Sequence, residues 1–237
     1  MSNNTRAMSD IKNSFKSLYS DKNFQPLSFP DEADIAFVTV HLIERSIALL
    51  APNLKGEMLD VGCGKQPYLP YFNHVISKKA CDFDASRGNI DFECPANSIP
   101  LKSESLDSIL CTEVLEHVPD PLAVWKEFYR LLRSGGQVLL TTPLYWPAHE
   151  LPYDFYRYPE HGLRHLVAES GFELLALMPR GGPWVLWGQV TLHVMQHYFP
   201  FRWQVVLWNR LILWIDRRCG GPRLTSGWTV LARKPAY

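Results

Sequence analysis

The chain has 237 residues, 46% of them hydrophobic, which suffices for one substantial core and suits one domain with extensions better than two. Its 24 basic and 24 acidic residues give a formal net charge of zero, excluding a global field that would steer it to nucleic acid while leaving local patches open. Five cysteines, Cys63, Cys81, Cys94, Cys111 and Cys219, show no CxxC spacing and read as thiols of a reduced, cytoplasmic protein, and the polar stretch from Met1 to Lys22 offers no apolar run of the kind a secretory signal needs.

Taken in chain order, residues 1–30 read as a polar arm with a short helix near 11–19, ending in the breaker-rich run Gln25-Pro26-Leu27-Ser28-Phe29-Pro30. Residues 31–237 form the main domain. Ile35, Val38, Leu42, Ile43, Ile47 and Leu50 recur at helical spacing until Pro52 stops the pattern, predicting an amphipathic helix. Strand-like and helix-like segments then alternate: strand 57–61, helix 68–74, strand 79–83, a short strand 90–92 and strand 105–111. Asp120-Pro121 offers an N-cap and a proline at the first helical position, so a helix should run from there to Leu132 and stop at Gly135-Gly136 before a strand over 137–142. A helix over 159–170 closed by Gly171, a strand over 172–178 and a last strand over 228–233 complete the series. Such alternation implies an α/β fold with a mostly parallel seven-stranded sheet covered on both faces, a three-layer sandwich. Two insertions break the rhythm: 143–158, crowded with aromatics, Pro, His and acids, and 179–222, apolar, rich in Trp and expected to be helical. Both follow strands, where a segment can cover a pocket at the carboxyl edge of the sheet.

The sharpest local feature is Leu59-Asp60-Val61-Gly62-Cys63-Gly64-Lys65, an acid and two glycines where a buried strand turns toward a helix. Glycines there let backbone N–H groups approach a ligand, and a helix N-terminus favours negative charge. More pieces follow in order: ACDFDAS at the end of the second strand, SIPLKSESLDSILCTEVLEHVPDP around the fourth, and LLRSGGQVLLTTP into the fifth. Together they resemble the class I S-adenosylmethionine-dependent methyltransferases, which have a Rossmann-like fold, over roughly residues 57–176. The resemblance implies S-adenosylmethionine as cofactor. Its amino-acid part would be cradled by Asp60, Gly62, Cys63 and Gly64, and its ribose held by Asp84, with Asp82 the competing carboxylate. Glu113 and Val114 would flank it through the backbone. The family's third glycine is absent, since Gln66-Pro67 follows Lys65. Cys94-Pro95-Ala96 stands where an acid often meets the adenine, so Ala96 is expected against that ring. A dinucleotide-binding dehydrogenase fits poorly, because GxGxxG is missing.

Methyl transfer to a hydroxyl needs donor and acceptor aligned and a proton removed. The histidines placed for that are His117, His149, His161 and His165, and His117 and His149 are the candidate bases. Glu113, Glu116 and His117 form an ExxEH cluster. Similar spacing holds a divalent ion in metal-dependent methyltransferases acting on RNA ends or catechol-like quinone precursors, and His149 or Glu150 would complete such a site. The same letters also serve the fold as helix-start and hydrogen-bonding residues, and no metal is expected here. The run from Tyr145 to Tyr158 is similar to an HExPxDFYR pattern in methyltransferase-like proteins of glycan and cell-envelope biosynthesis. Its aromatic faces, carboxylates and guanidinium suit a sugar-like or polar ring, with His149, Asp154 and Arg157 in the catalytic group. The alternative is that Asp154 pairs with Arg157 while the aromatics pack the following helix.

From 181 to 201 no charged residue occurs, and 203–215 is apolar except at Gln204, Asn209 and Arg210. Neither stretch has the roughly twenty predominantly apolar residues of a membrane span. The insertion reads as a lid, a dimer surface, or an interfacial helix with Trp203, Trp208 and Trp214 at headgroup level beside Arg210, Arg217 and Arg218. The expected activity is methyl transfer from S-adenosylmethionine to an oxygen or nitrogen of a small-molecule, glycan or lipid-linked acceptor. The expected place is the cytoplasm, or the inner face of a membrane contacted through 181–218; a homodimer is open, and no nucleic-acid partner is expected. Two rivals stand beside this reading: a non-catalytic scaffold that docks on a membrane or partner, and a metal-dependent RNA methyltransferase, against which the balanced charge speaks.

Overall fold

The computed structural model describes residues 13, 16, 17, 19, 27, 30–195, 198, 201–221 and 224–236. Most of the arm 1–30, and with it most of the expected helix at 11–19, lies outside the described residues. The chain divides into two compact units. A sheet unit takes in Leu50–Pro143, Ala148–Leu177 and Thr229–Tyr237, and a helical unit takes in Met1–Leu49, Leu144–Pro147 and Met178–Trp228.

Seven strands, β1 (Glu57–Val61), β2 (Ser77–Asp82), β3 (Phe92–Glu93), β4 (Leu106–Thr112), β5 (Leu132–Pro143), β6 (Glu173–Arg180) and β7 (Gly227–Arg233), form one sheet in the order β3-β2-β1-β4-β5-β7-β6. The pairings of β1 with β2 and β4, of β2 with β3 and of β4 with β5 are parallel, so the sheet is mostly parallel, as the sequence predicts. Met58, Leu59 and Val61 in β1 and Ile109, Leu110 and Cys111 in β4 are all buried, without alternation, as strands covered on both faces require. The strand order reverses between β1 and β4, with β2 and β3 to one side and β5 to the other. Connections leaving such a switch point in opposite directions open a crevice beyond the carboxyl ends of the strands. Because Val61 is level with Cys111, the turns that follow at Gly62 and Glu113 open side by side.

The helices whose full extent is described are α1 (Phe37–Leu50), α2 (Pro121–Leu131), α3 (Glu160–Glu169), α4 (Pro183–Met195) and α5 (Arg202–Cys219). Asp120 starts α2, its Oδ1 accepting from Ala123 N at 3.0 Å, with Pro121 at the first position. Val124, Trp125, Phe128 and Leu131 form its buried stripe, and the rings of Trp125 and Tyr129 each meet Phe172 with centroids 5.4 Å apart.

Some expectations shift. The helix expected over 68–74 is a 3-10 turn, Leu69–Phe72, because Pro67 and Pro70 remove amide donors. The short strand expected over 90–92 is shorter and lies later, at Phe92–Glu93. β5 begins at Leu132 rather than at 137: Gly135-Gly136 sits in a bulge inside the strand, since Leu106 faces Leu132 while Ser108 faces Gln137.

In the helical unit, the insertion supplies α4 and α5. A Cβ on Gly188 would lie 2.5 Å from Ile212 Cγ1, so the glycine is what allows α4 and α5 to approach this closely, and Trp208 Nε1 donates to Gly188 O at 3.1 Å. Asp216 of α5 is fully buried and accepts from the amides of Gly182, Trp184 and Val185 at 2.8 to 3.2 Å and from Tyr19 Oη at 2.7 Å, thereby capping the start of α4.

Candidate active site

A cavity of about 430 Å³ lies at the switch point, wholly within the sheet unit. The chain leaves β1 through Gly62, at φ +64°, and the amides of Gly62 and Cys63 donate to Cys81 O at 2.8 and 3.2 Å. A Cβ on Gly62 would come within 2.2 Å of Val114 Cγ2, so glycine is what lets this turn press against the loop after β4. Gly64 N donates to Asp82 Oδ2 at 3.0 Å and Asp84 N to Asp82 Oδ1 at 3.3 Å, so one buried carboxylate pins the glycine turn to the end of β2. Asp60 is buried as well. Desolvation, and after it the neighbouring Asp82 charge, push its carboxyl up to about 8, and its Oδ1 has no hydrogen-bond partner among the described residues. Such a buried polar atom is costly unless a ligand group meets it, which is the condition a bound cationic amino-acid group would satisfy.

Gly62, Asp82, Phe83 and Arg87 line one side of the cavity, the loop from Cys94 to Asn97 a second, Glu113, Val114 and His117 to Pro119 a third, and Glu150 and Tyr153 complete it. Arg87 Nη2 meets Glu150 Oε2 at 2.6 Å and its guanidinium lies 4.7 Å over the Phe83 ring. This pairing holds the Glu150 carboxyl below the usual range. Glu113 takes the left-handed conformation, φ +53°, and donates its amide to Thr141 O at 3.0 Å, directing the chain into the 3-10 turn Leu115–His117. Tyr158 Oη donates to Leu115 O and Tyr156 Oη to Pro119 O, both at 2.9 Å, fastening the aromatic loop onto that turn.

His117 Nδ1 is 2.7 Å from Tyr153 O. Its ring meets that of His149 edge-on at 4.6 Å, and its Nε2 is 3.9 Å from Glu116 Oε1. One ligand atom each from Glu116, His117 and His149 all lie within 4.8 Å of one another, and Glu113 is not part of that group.

Of the residues expected around the cofactor, Gly62, Ala96, Glu113 and Val114 line the cavity, whereas Asp60, Cys63 and Gly64 do not. Burial, then the Asp60 charge, push the Cys63 thiol up to about 11, so it is no thiolate near neutrality. Asp84 does not line the cavity either. β2 ends at Asp82, and Asp84 is the N-cap of the 3-10 turn Ala85–Arg87, its Oδ1 accepting from Ser86 N at 2.9 Å and Ser86 Oγ at 2.6 Å. Asp82, the competing carboxylate, is the one that lines the cavity. Of the expected catalytic group, His117 lines the cavity and His149, Asp154 and Arg157 do not. Arg157 clasps Asp154 with both Nη atoms, Nη2 at 2.9 Å from Oδ2, and holds its carboxyl well below the usual range. Asp154 Oδ2 also accepts from His149 N at 3.1 Å, so the pair braces His149 rather than facing the cavity. Sequence reasoning missed Phe83 and Arg87. The partner of Arg87 is 63 positions away, and no local spacing announces it.

A family profile described as a methyltransferase domain matches residues 36–177. The ubiquinone biosynthesis O-methyltransferase of Pseudomonas putida (strain W619) is 37% identical over 180 residues, covering 68% of this chain and 66% of that protein. A tRNA U34 carboxymethyltransferase of Nautilia profundicola is 33% identical over 101 residues, covering 36% of this chain and 34% of the other. The chain thus spans about two thirds of the length of the first of these relatives. Among solved structures, an S-adenosylmethionine-dependent methyltransferase from Mesorhizobium loti aligns with a TM-score of 0.54 at 13% identity, over 80% of this chain and 97% of that one. The cyclase SpnF aligns with a TM-score of 0.56 at 20% identity, over 82% and 81%. Identities this low speak for the fold alone. The profile, in contrast, takes in β1 to β5 and the whole acid and glycine turn at the switch point, and the chain belongs to the S-adenosylmethionine-dependent methyltransferases of class I, enzymes whose methyl donor is S-adenosylmethionine.

Proposed function

We propose that the chain methylates a hydroxyl oxygen of a small, ring-bearing molecule, with His117 as the general base. The observation that carries this reading is the setting of His117. Tyr153 O can only accept, so His117 Nδ1 is the protonated nitrogen of the neutral ring and Nε2 is the one left to take a proton, on a cavity wall shared with Phe83 and Tyr153. Aromatic faces suit a flat acceptor, and the Pseudomonas putida relative is by its name an O-methyltransferase. When bound, S-adenosylmethionine supplies a methyl group activated by a sulfonium. Asp60 with the Gly62 to Gly64 backbone would hold its amino-acid end, Asp82 its ribose hydroxyls and the loop carrying Ala96 its adenine. Asp154 and Arg157 position His149 against His117, and His117 Nε2 removes the proton of the acceptor hydroxyl. Incubation with methyl-labelled S-adenosylmethionine and fractionated cell extract should place label in a small-molecule fraction, and His117→Gln should abolish it. Label in tRNA instead would overturn the acceptor class.

A second reading rests on the Glu116, His117 and His149 group, whose chemistry suits a divalent transition-metal ion. The three side chains would then hold the ion, and Nε2 of His117 would be a ligand rather than a base. Chelation separates the two: activity that survives exhaustive treatment with EDTA belongs to the base, and activity restored only by added metal belongs to the ligand set.

A further inference from the structure

One exposed stripe of α5 is more apolar than the buried stripe opposite it. Trp203, Leu207, Leu211 and Trp214 recur at i, i+4, i+8 and i+11, one stripe along the helix, and are 60%, 58%, 48% and 53% exposed. The opposite stripe, Val205, Asn209, Ile212 and Asp216, is buried and half polar. Trp187 of α4 continues the exposed patch, its ring 5.4 Å from that of Trp208. Contiguous apolar surface of this kind marks a contact site rather than a face left in water.

Cations border it. Arg202 and Arg210 are paired with Asp31 and Glu32, each at 2.6 Å, whereas Arg217 and Arg218 have no carboxylate partner among the described residues. Arg218 lies 4.1 Å over the ring of Trp214, joining the charged end of the helix to the apolar stripe. With Arg45, His41 and Tyr19, these two arginines and Trp214 surround a second cavity, about 570 Å³, that no described carboxylate lines. Burial and then the Arg45 charge push His41 down to about 4, so the positive charge of this cavity is that of its guanidinium groups.

We infer that this face of the helical unit docks on the surface of an anionic lipid bilayer, with α5 lying in the interface and a lipid phosphate taken by Arg217 and Arg218. Tryptophans stand at headgroup level on such surfaces, and the guanidinium fork matches phosphate oxygens. No helix of the described residues is long and apolar enough to cross a membrane, which leaves α5 an interfacial role. A second copy of the chain is a poorer occupant. A two-fold contact through this patch would bring Arg217 and Arg218 toward either the same cations or the Arg202 end of a second copy, whereas an anionic bilayer complements stripe and charge together. The inference rests on the helical unit alone and is independent of the methyl acceptor.

The full chain is sedimented with vesicles of phosphatidylcholine, alone and with phosphatidylglycerol added. Binding to the phosphatidylglycerol vesicles only, weakened by salt and accompanied by a blue shift of tryptophan fluorescence, is expected. The double variant Arg217→Gln, Arg218→Gln should bind roughly thirtyfold more weakly. Leu207→Ser with Leu211→Ser should lose the blue shift, and circular dichroism melting should show both variants folded as the parent is, since all four side chains are exposed. Failure of the folded parent to sediment with anionic vesicles, or undiminished binding by the arginine variant, overturns the inference. A solution dimer that Leu207→Ser with Leu211→Ser dissociates also overturns it, assigning the face to a second copy.

Discussion

At Asp60 the fold keeps a carboxylic acid neutral where an exposed one would be ionised. Its value, raised from 3.8 to about 8, means the folded chain binds a proton that the unfolded chain has released, so stability falls as pH climbs from the lower value through the higher. Asp60→Asn removes that dependence. The variant should melt higher than the parent at pH 8 and like it near pH 4, as read by thermal melts across the range. A cationic amino group beside Asp60 favours the ionised form, so affinity for S-adenosylhomocysteine should rise with pH toward 8, by at most roughly tenfold per pH unit. Calorimetric titrations giving a flat profile would remove Asp60 from the ligand. The same assay separates the two carboxylates at the end of β2: Asp82→Asn should weaken binding at least tenfold, by about the worth of a charge-assisted hydrogen bond, and Asp84→Asn should leave it nearly unchanged. Gly62→Ala meets both a positive φ and Val114, and should cost about 1–3 kcal/mol in a denaturant melt. The turn through Gly62 and Gly64 could be read from the chain because both take a positive φ that few other residues tolerate. The choice between Asp82 and Asp84 could not, because strand end and cap differ by two positions and only the place where β2 stops decides it.

Among the elements, those governed by their own residues matched their sequence. α2 starts where Asp120 and Pro121 say it should, since cap and fixed φ act within a turn of the helix. β5 did not: Gly135-Gly136 reads as a stop, yet pairing with β4 extends the strand back to Leu132 and absorbs the glycines in a bulge. The aromatic loop after β5 is the element on which activity should depend most. Arg157 holds Asp154 and Asp154 holds His149, neither lining the cavity, so Arg157→Met should lower kcat while leaving the affinity for S-adenosylhomocysteine unaltered. Equal losses in both would mean that the pair supports the cofactor side of the cavity instead.

At the scale of the whole molecule, the sheet unit and the helical unit are built by different means. The sheet unit is a parallel core of near-continuous apolar strands, whereas the helical unit adds to its apolar contacts one buried acid, Asp216, that caps the start of α4. Asp216→Ala would leave the amides of Gly182, Trp184 and Val185 without their acceptor and should destabilise α4 and α5 by about 1–3 kcal/mol for each donor left buried and unsatisfied. Hydrogen exchange is the measurement: amides over 183–219 should lose protection while those of β1 and β4 keep theirs, and uniform loss would mean that the units unfold as one. By itself the sequence determined the α/β alternation, the glycine turn and the donor, because hydrophobic period, caps and glycine conformation act over a few residues. Only the tertiary structure decided which carboxylate faces the cavity, that Arg87 meets Glu150, that Asp154 and Arg157 brace His149, and that the apolar stripe of α5 points outward. Each of these depends on which distant segments are brought together, and a linear pattern holds no record of that.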